Sequence, residues 1–189
     1  MTQRIPAAER REQILLIARR LFAQNGYAGT RLDDVAAAAG VTKPILYRHF
    51  ASKKALYMAL LQRHEDDLPG FFAGVVPADG GEPLVRAILE IWLDYVREHQ
   101  HAWLMLFRDA SGDEEIRALR ARVSRTARQV MAAFIAGRAG TRIPAAEVEP
   151  SAELLTSGLA GLALWWIDNP HVPKSVVLEA AARPAAAVV

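Results

Sequence analysis

The stretch from Thr30 to Lys54, TRLDDVAAAAGVTKPILYRHFASKK, decides the fold. It reads as two short helices joined by a glycine turn, followed by the start of a third. The first spans about 32–39, with Thr30 or Arg31 near its N-cap. Asp33 and Asp34 sit in its first turn, where the macrodipole favours acids. Gly40 ends it at a position that calls for positive φ. Thr42 is placed to cap the next helix, and Pro44 lies in its first turn, where a missing N–H costs little. That helix ends near Phe50, and Ser52 caps the one that follows. Ala36 is small where two helices must cross, while Val41 and Leu46 are apolar anchors behind the second helix. This is the pattern of a helix-turn-helix, whose second helix enters the major groove of DNA.

Working outward, every segment has helical periodicity. No segment alternates like a strand, and no internal repeat is apparent. A first helix covers about 7–25, with Ile14, Ala18, Leu21 and Phe22 on one face and Asn25-Gly26 as its stop. The helix begun at Ser52 runs to about Asp67, where Pro69-Gly70 breaks it. A loop holds Pro77, Gly80 and Gly81. Next come two stripes on one helix, Leu84/Ile88/Ile91/Tyr95 and Val85/Leu89/Trp92/Val96, which predict a central, buried element. A short helix at 102–108 ends before Ser111-Gly112. Asp113 caps a long helix to about Gly137 that turns Ile116, Leu119, Val123, Val130 and Phe134 inward. A loop over 140–150 precedes a helix over 152–168, ended by Asn169-Pro170. A last helix begins near Lys174 and frays in ARPAAAVV. The fold class is all-α.

Charge is unevenly spread. Residues 1–64 hold 11 Lys+Arg against 4 Asp+Glu, a net of +7. Residues 65–189 hold 12 against 17, a net of −5. A basic head on an acidic body suits a polyanion bound by the head alone; a merely solvated basic surface has the same composition. The chain has no cysteine, which excludes disulfides, thiolate nucleophiles and cysteine metal sites. The histidines His49, His64, His99, His101 and His171 form no metal-ligand spacing, and the His64-Glu65-Asp66-Asp67 cluster reads as solvated. There is no nucleophile elbow, P-loop or dinucleotide fingerprint. We therefore expect no cofactor, no metal and no catalytic residues. The N-terminus lacks an apolar leader, and the apolar run from Leu159 to Ile167 falls short of the ~20 residues of a membrane span. The expected location is the cytoplasm.

On the second helix of the motif, Lys43, Pro44, Ile45, Tyr47, Arg48 and His49 face outward. Lys43 and Arg48 suit phosphate or guanine edges, Tyr47 and His49 suit phosphate, and Pro44 and Ile45 suit thymine methyls. Thr30 and Thr42 stand at helix N-termini, where backbone N–H groups attract phosphate. Lys53 adds its charge to the start of the next helix. In the body, Trp92, Tyr95, His99, Trp103, Phe107, Met131, Phe134 and Trp165 either line an apolar ligand pocket with a few polar groups or form plain core. The arginine-rich run R117-ALRARVSRTAR128 reads as the exposed face of a long helix.

The run G40-V-T-K-P-I-L-Y-R-H-F50, the preceding T30-R-L-D-D-V-A-A-A-A-G40, the helix end F22-A-Q-N-G-Y27 and the following Ser52, Lys53 and Leu56 resemble the tetracycline-repressor (TetR) family of transcriptional regulators. The specific likeness covers roughly residues 10–60. It implies an all-helical homodimer with an N-terminal three-helix DNA-binding domain, here 1–52. It also implies a larger helical ligand-binding and dimerisation domain, here 53–189. The function implied is repression on a palindromic operator in double-stranded DNA, relieved by a small-molecule effector, here of apolar or aromatic character. By position, Thr30, Arg31, Thr42, Lys43, Pro44, Tyr47, His49 and Lys53 match the family's DNA-contacting positions. Ile45 departs from the small or polar residue common at its place. A152-ELLTSGLAGLALWWIDNP170 looks like the family's dimer helix. Ser157, Gly158, Ala160 and Gly161 permit close approach, and Leu155, Leu159, Leu162 and Trp166 form an apolar stripe. The last helix, 175–182, completes a four-helix interface. Glycines in a helix cost about 1 kcal/mol each relative to alanine, so a packing reason is expected, between chains or within one. A different class remains open: a helical small-molecule-binding or catalytic domain whose basic head is incidental.

Overall fold

The computed structural model describes residues 6–73, 82–108, 113–137 and 143–188. Among them every regular element is helical. The helices are α1 (Ala7–Gly29), α2 (Leu32–Ala38), α3 (Lys43–His49), α4 (Lys53–Ala73), α5 (Glu82–Glu98), α6 (Gln100–Trp103), α7 (Glu114–Ala136), α8 (Val148–Asp168) and α9 (Lys174–Val188). A π-helical turn, Leu104–Arg108, extends α6, and a 3-10 turn, Ala145–Glu147, leads into α8. The Pro77–Gly81 loop, the Ser111-Gly112 break and residues 138–142 lie outside the described residues. So do the side chains of His64, Glu65 and Asp67 in the acidic cluster.

Local chemistry explains several boundaries. Gly26 breaks the helical path of α1 with φ 69°, and Gly40 turns between α2 and α3 with φ 63°. A Cβ built on Gly40 would meet nothing within 4 Å. Glycine is therefore required there by backbone conformation alone, since the left-handed region costs other residues roughly 1–2 kcal/mol. Ser52 caps α4 by accepting from the Ala55 N–H, and Asp113 caps α7 by accepting from Glu115 and Ile116. Thr42 occupies the N-cap of α3 with no side-chain capping bond.

Four expectations are corrected. α4 runs through Pro69-Gly70 to Ala73, and α9 runs through Pro184 to Val188, so proline stops neither helix. The 3-10 turn and first turn of α8 replace the end of the expected 140–150 loop; Pro150 lies in that first turn, where its missing N–H is tolerated. α5 is buried on one stripe and only partly on the other, where Leu84 is buried and Ile88 and Tyr95 are half-buried. Val85, Leu89, Trp92, Leu93 and Val96 are in the core, while Ile91 on the other stripe is exposed.

Two apolar clusters organise the chain. The first joins α1, α2 and α3 through Ile14, Ala18, Phe22, Val35 and Leu46. It continues through Leu56 and Tyr57 of α4 to Met105, Ile116 and Leu119, so the head is not packed on itself alone. The second joins α5, α7, α8 and α9 through Leu93, Val96, Ile135, Ala163, Trp166 and Val177.

Candidate nucleic-acid interface

The head holds α3 by packing one side of it. Leu46 is fully buried and Phe50 nearly so, with the Arg11 guanidinium 5.0 Å over the Phe50 ring. Gln13 of α1 donates to the Ala39 carbonyl (3.1 Å) at the end of α2. These contacts leave the other side of α3 outward. Tyr47 is 51% exposed, Pro44 and Arg48 are exposed, and Ile45 and His49 are half-buried. Arg31, Thr42 and Lys43 are exposed too, with Lys43 Nζ 2.7 Å from Asp33 Oδ2. Both ends of that pair are well solvated, so it is weak and can be exchanged for a phosphate.

Two residues expected at the same surface are turned elsewhere. Thr30 is buried at 1% exposure, and its hydroxyl donates to the carbonyls of Gly26 (2.8 Å) and Leu21 (3.2 Å). It ties off the break in α1 rather than facing a ligand. Lys53 Nζ donates to the carbonyls of Tyr27 (2.7 Å), Thr30 (3.0 Å) and Ala28 (3.3 Å), and sits 4.7 Å over the Tyr27 ring. An ammonium has three protons, and this geometry uses all of them on the C-terminal carbonyls of α1. Such a cation belongs at a helix C-terminus, where the macrodipole is negative. Lys53 is thus a clasp between α4 and α1, where its ammonium is engaged within the chain rather than turned to the face that α3 presents.

The clasp adjoins an aromatic knot that the sequence did not single out. Tyr57 meets Phe22 edge-on at 4.9 Å and Tyr27 at 5.0 Å. Its hydroxyl donates to the Met105 carbonyl (3.0 Å) and accepts from Arg120 (3.0 Å), while Arg120 also donates to that carbonyl (2.8 Å). Met105 lies in the π-helical turn, so one buried tyrosine links the head core to the body. Arg120 comes from the arginine-rich run. Its neighbours Arg117, Arg122 and Arg125 are exposed as expected, and Arg128 pairs with Glu153 of α8.

In the body, Trp92 and Trp103 are buried edge-to-face at 6.0 Å, and Trp103 stacks on Phe107 at 4.9 Å. Tyr95 and His99 lie 4.2 Å apart. The Trp103 Nε1 donor is buried with no hydrogen-bond partner among the described residues. Met131 and Phe134 are half-buried on α7. Trp165 leaves this set, because it is 48% exposed on the outside of α8.

The outside of α8 carries Leu154 (69% exposed), Ser157, Gly158, Gly161 and Trp165 at helical spacing, and Leu159 and Leu162 border it half-buried. A Cβ on Gly158 or Gly161 would meet nothing within 4 Å, so packing inside this chain does not account for either glycine. Leu155 and Trp166, expected on the interface, are buried in the chain's own core. Trp166 Nε1 donates to the Val172 carbonyl (2.9 Å) under the Arg97 guanidinium. Among the described residues no group of His, Asp and Glu is arranged to hold a metal, and no helix is long and apolar enough to cross a membrane.

Comparison with known proteins agrees with this geometry. A family model described as bacterial regulatory proteins, tetR family, matches residues 14–60. A second, described as tetracyclin repressor-like, C-terminal domain, matches residues 82–186. The chain is 37% identical over 105 residues to the HTH-type transcriptional activator FasR of Mycolicibacterium smegmatis, covering 55% of this chain and 48% of that protein. It thus spans about half the length of the curated relatives it matches. Among solved structures, a TetR-like transcriptional regulator from Rhodococcus sp. RHA1 superposes with a TM-score of 0.79 at 24% identity, covering 96% of both chains. AibR, solved in complex with isovaleryl coenzyme A and operator DNA, superposes at 0.73 with 19% identity, covering 92% of this chain and 96% of that one. At these identities the superpositions speak for the fold alone.

Proposed function

Because the chain belongs to the tetR family of bacterial regulatory proteins, we propose that it is a DNA-binding transcriptional regulator. It binds a palindromic operator as a homodimer, and a small-molecule effector releases it. The observation that carries this reading is the two-sidedness of α3. Leu46 and Phe50 anchor it while Lys43, Pro44, Tyr47 and Arg48 stand outward. Side chains so placed on a helix of about 11 Å overall diameter match a major groove of about 12 Å. In this reading Arg31, Thr42, Lys43, Tyr47, Arg48 and His49 position the head on phosphates and read base edges, with Pro44 and Ile45 against thymine methyls. The division of labour falls near Ser52, with residues 1–52 reading DNA and 53–189 sensing and pairing.

The dimer surface is the outer face of α8, from Leu154 through Gly158 and Gly161 to Trp165, with α9 beside it. Small residues there let a partner helix approach closely. The effector site is the aromatic group Trp92, Tyr95, His99, Trp103, Phe107, Met131 and Phe134. The unpaired Trp103 indole N–H favours an apolar ligand that carries one hydrogen-bond acceptor, because a buried donor left unsatisfied costs about 1–3 kcal/mol. Such a protein works in the cytoplasm, where its DNA is.

The test is a mobility-shift assay on duplexes flanking the protein's own gene, at moderate salt. We expect a specific complex that Tyr47→Ala abolishes while the melting temperature holds. Specific binding by the variant would remove Tyr47 from the interface. The absence of any specific duplex would remove the regulator reading.

A further inference from the structure

A cleft opens where the head meets the body. It lies between α1, α4 and the start of α6, and its volume is about 430 Å³. That is at the lower end of the roughly 300–1,000 Å³ typical of small-molecule sites. It is separate from the aromatic group, with which it shares only His99.

The lining has two characters. Leu15, Leu60 and Ala102 give it a buried apolar wall, and Leu16 also lines it while remaining 61% exposed. An exposed leucine on a cleft wall leaves apolar surface that a ligand can cover. The polar groups are Glu12, Gln13, Arg19, Arg63 and His99. Glu12 is the one acid, and it is already held by Arg63, with Arg11 4.0 Å away. Arg19 has no carboxylate partner among the described residues, and it lies within the field of His101 on α6. There burial first, and then Arg19 and Arg20, hold the imidazole below its usual range. The cleft therefore offers an uncompensated guanidinium beside apolar surface.

We propose that this cleft binds a small amphipathic anion, with its apolar chain on Leu15, Leu16, Leu60 and Ala102 and its anionic group at Arg19. A guanidinium takes a carboxylate or phosphate oxygen pair in a bidentate fashion, so the head group is an oxyanion. Such a ligand touches α1 of the head, α4 that joins head to body, and α6 of the body at once. It would fix their mutual positions. By linkage, an anion that favours one head position changes DNA affinity, and DNA changes the anion's affinity by the same factor.

The experiment is calorimetric titration of the full chain, without DNA, with sodium decanoate and with 1-decanol of equal chain length. We expect decanoate to bind and decanol to bind at least ten-fold more weakly. Arg19→Gln and Leu16→Glu, both away from the core, should each raise the decanoate Kd at least ten-fold with an unchanged melting temperature. Arg117→Gln, at an exposed position on α7 that lines neither site, should leave the decanoate Kd within two-fold. No decanoate binding, equal binding of the alcohol, or indifference to both cleft substitutions would overturn the proposal. Because no DNA is present, none of these outcomes depends on DNA recognition, and loss of decanoate binding in the cleft variants assigns it to this cleft rather than to the aromatic group.

Discussion

Replacing Lys53 with methionine separates two roles that a lysine at this place can have. Methionine keeps an apolar stem against Tyr27 and removes only the ammonium. Three hydrogen bonds of 2.7, 3.0 and 3.3 Å to the end of α1 are lost with it. Hydrogen bonds to a charged group contribute roughly 1.5–3 kcal/mol when well shielded. Lys53 is half-exposed, so water replaces part of the loss and screening reduces it further. The expected destabilisation is about 1–2 kcal/mol, a fall of roughly 2–8 °C in melting temperature for a chain of this size. The assay is urea denaturation at fixed pH, paired with the salt dependence of operator binding. A phosphate contact contributes about 0.9 to the slope of log K against log salt. Lys53→Met should leave that slope unchanged, whereas Arg48→Gln should lower it by about 0.9 per chain without altering stability. If Lys53→Met kept full stability and lowered the slope, Lys53 would be a phosphate contact and the clasp would be wrong.

Three further outcomes follow from single observations. Gly40→Ala should cost about 1 kcal/mol in denaturant titrations, because its Cβ meets nothing and only the positive φ is penalised. Leu154→Arg, on the open face of α8, should convert dimers to monomers in sedimentation equilibrium while leaving helix content unchanged. His101 is held below its usual pKa by burial and by Arg19 and Arg20. The unfolded chain therefore binds its proton more readily, and the stability that neutral His101 contributes is present above about pH 6.5 and lost as pH falls below it. His101→Gln should flatten the fall in melting temperature over that window.

The turn at Gly40, the break at Gly26 and the caps at Ser52 and Asp113 were legible because each depends on a residue and its nearest neighbours. Lys53 and Thr30 were not, because their partners depend on how segments meet. Lys53 reaches carbonyls 23–26 residues back, and Thr30 reaches Leu21 across the break. Tyr57 and Arg120 carry no local signal for the same reason, since they converge on a carbonyl of the π-helical turn. α8 shows a subtler limit. It is apolar nearly all round, so periodicity does not select which face turns inward. Trp165 and Trp166 are adjacent in sequence yet about 100° apart on the helix, and they fall on opposite sides of that decision. The stripe through Leu155 and Trp166 packs inside. The interface candidates lie one residue away, through Leu154 and Trp165.

In the proposed complex two copies of α3 read one duplex. Selection from a random duplex library by the full chain, with the bound species weighed by analytical ultracentrifugation, tests it directly. We expect inverted-repeat sequences with half-site centres about one helical turn apart, or a multiple of that, bound by an even number of chains. Recovery of sequences without a repeat, or of complexes containing a single chain, would contradict it.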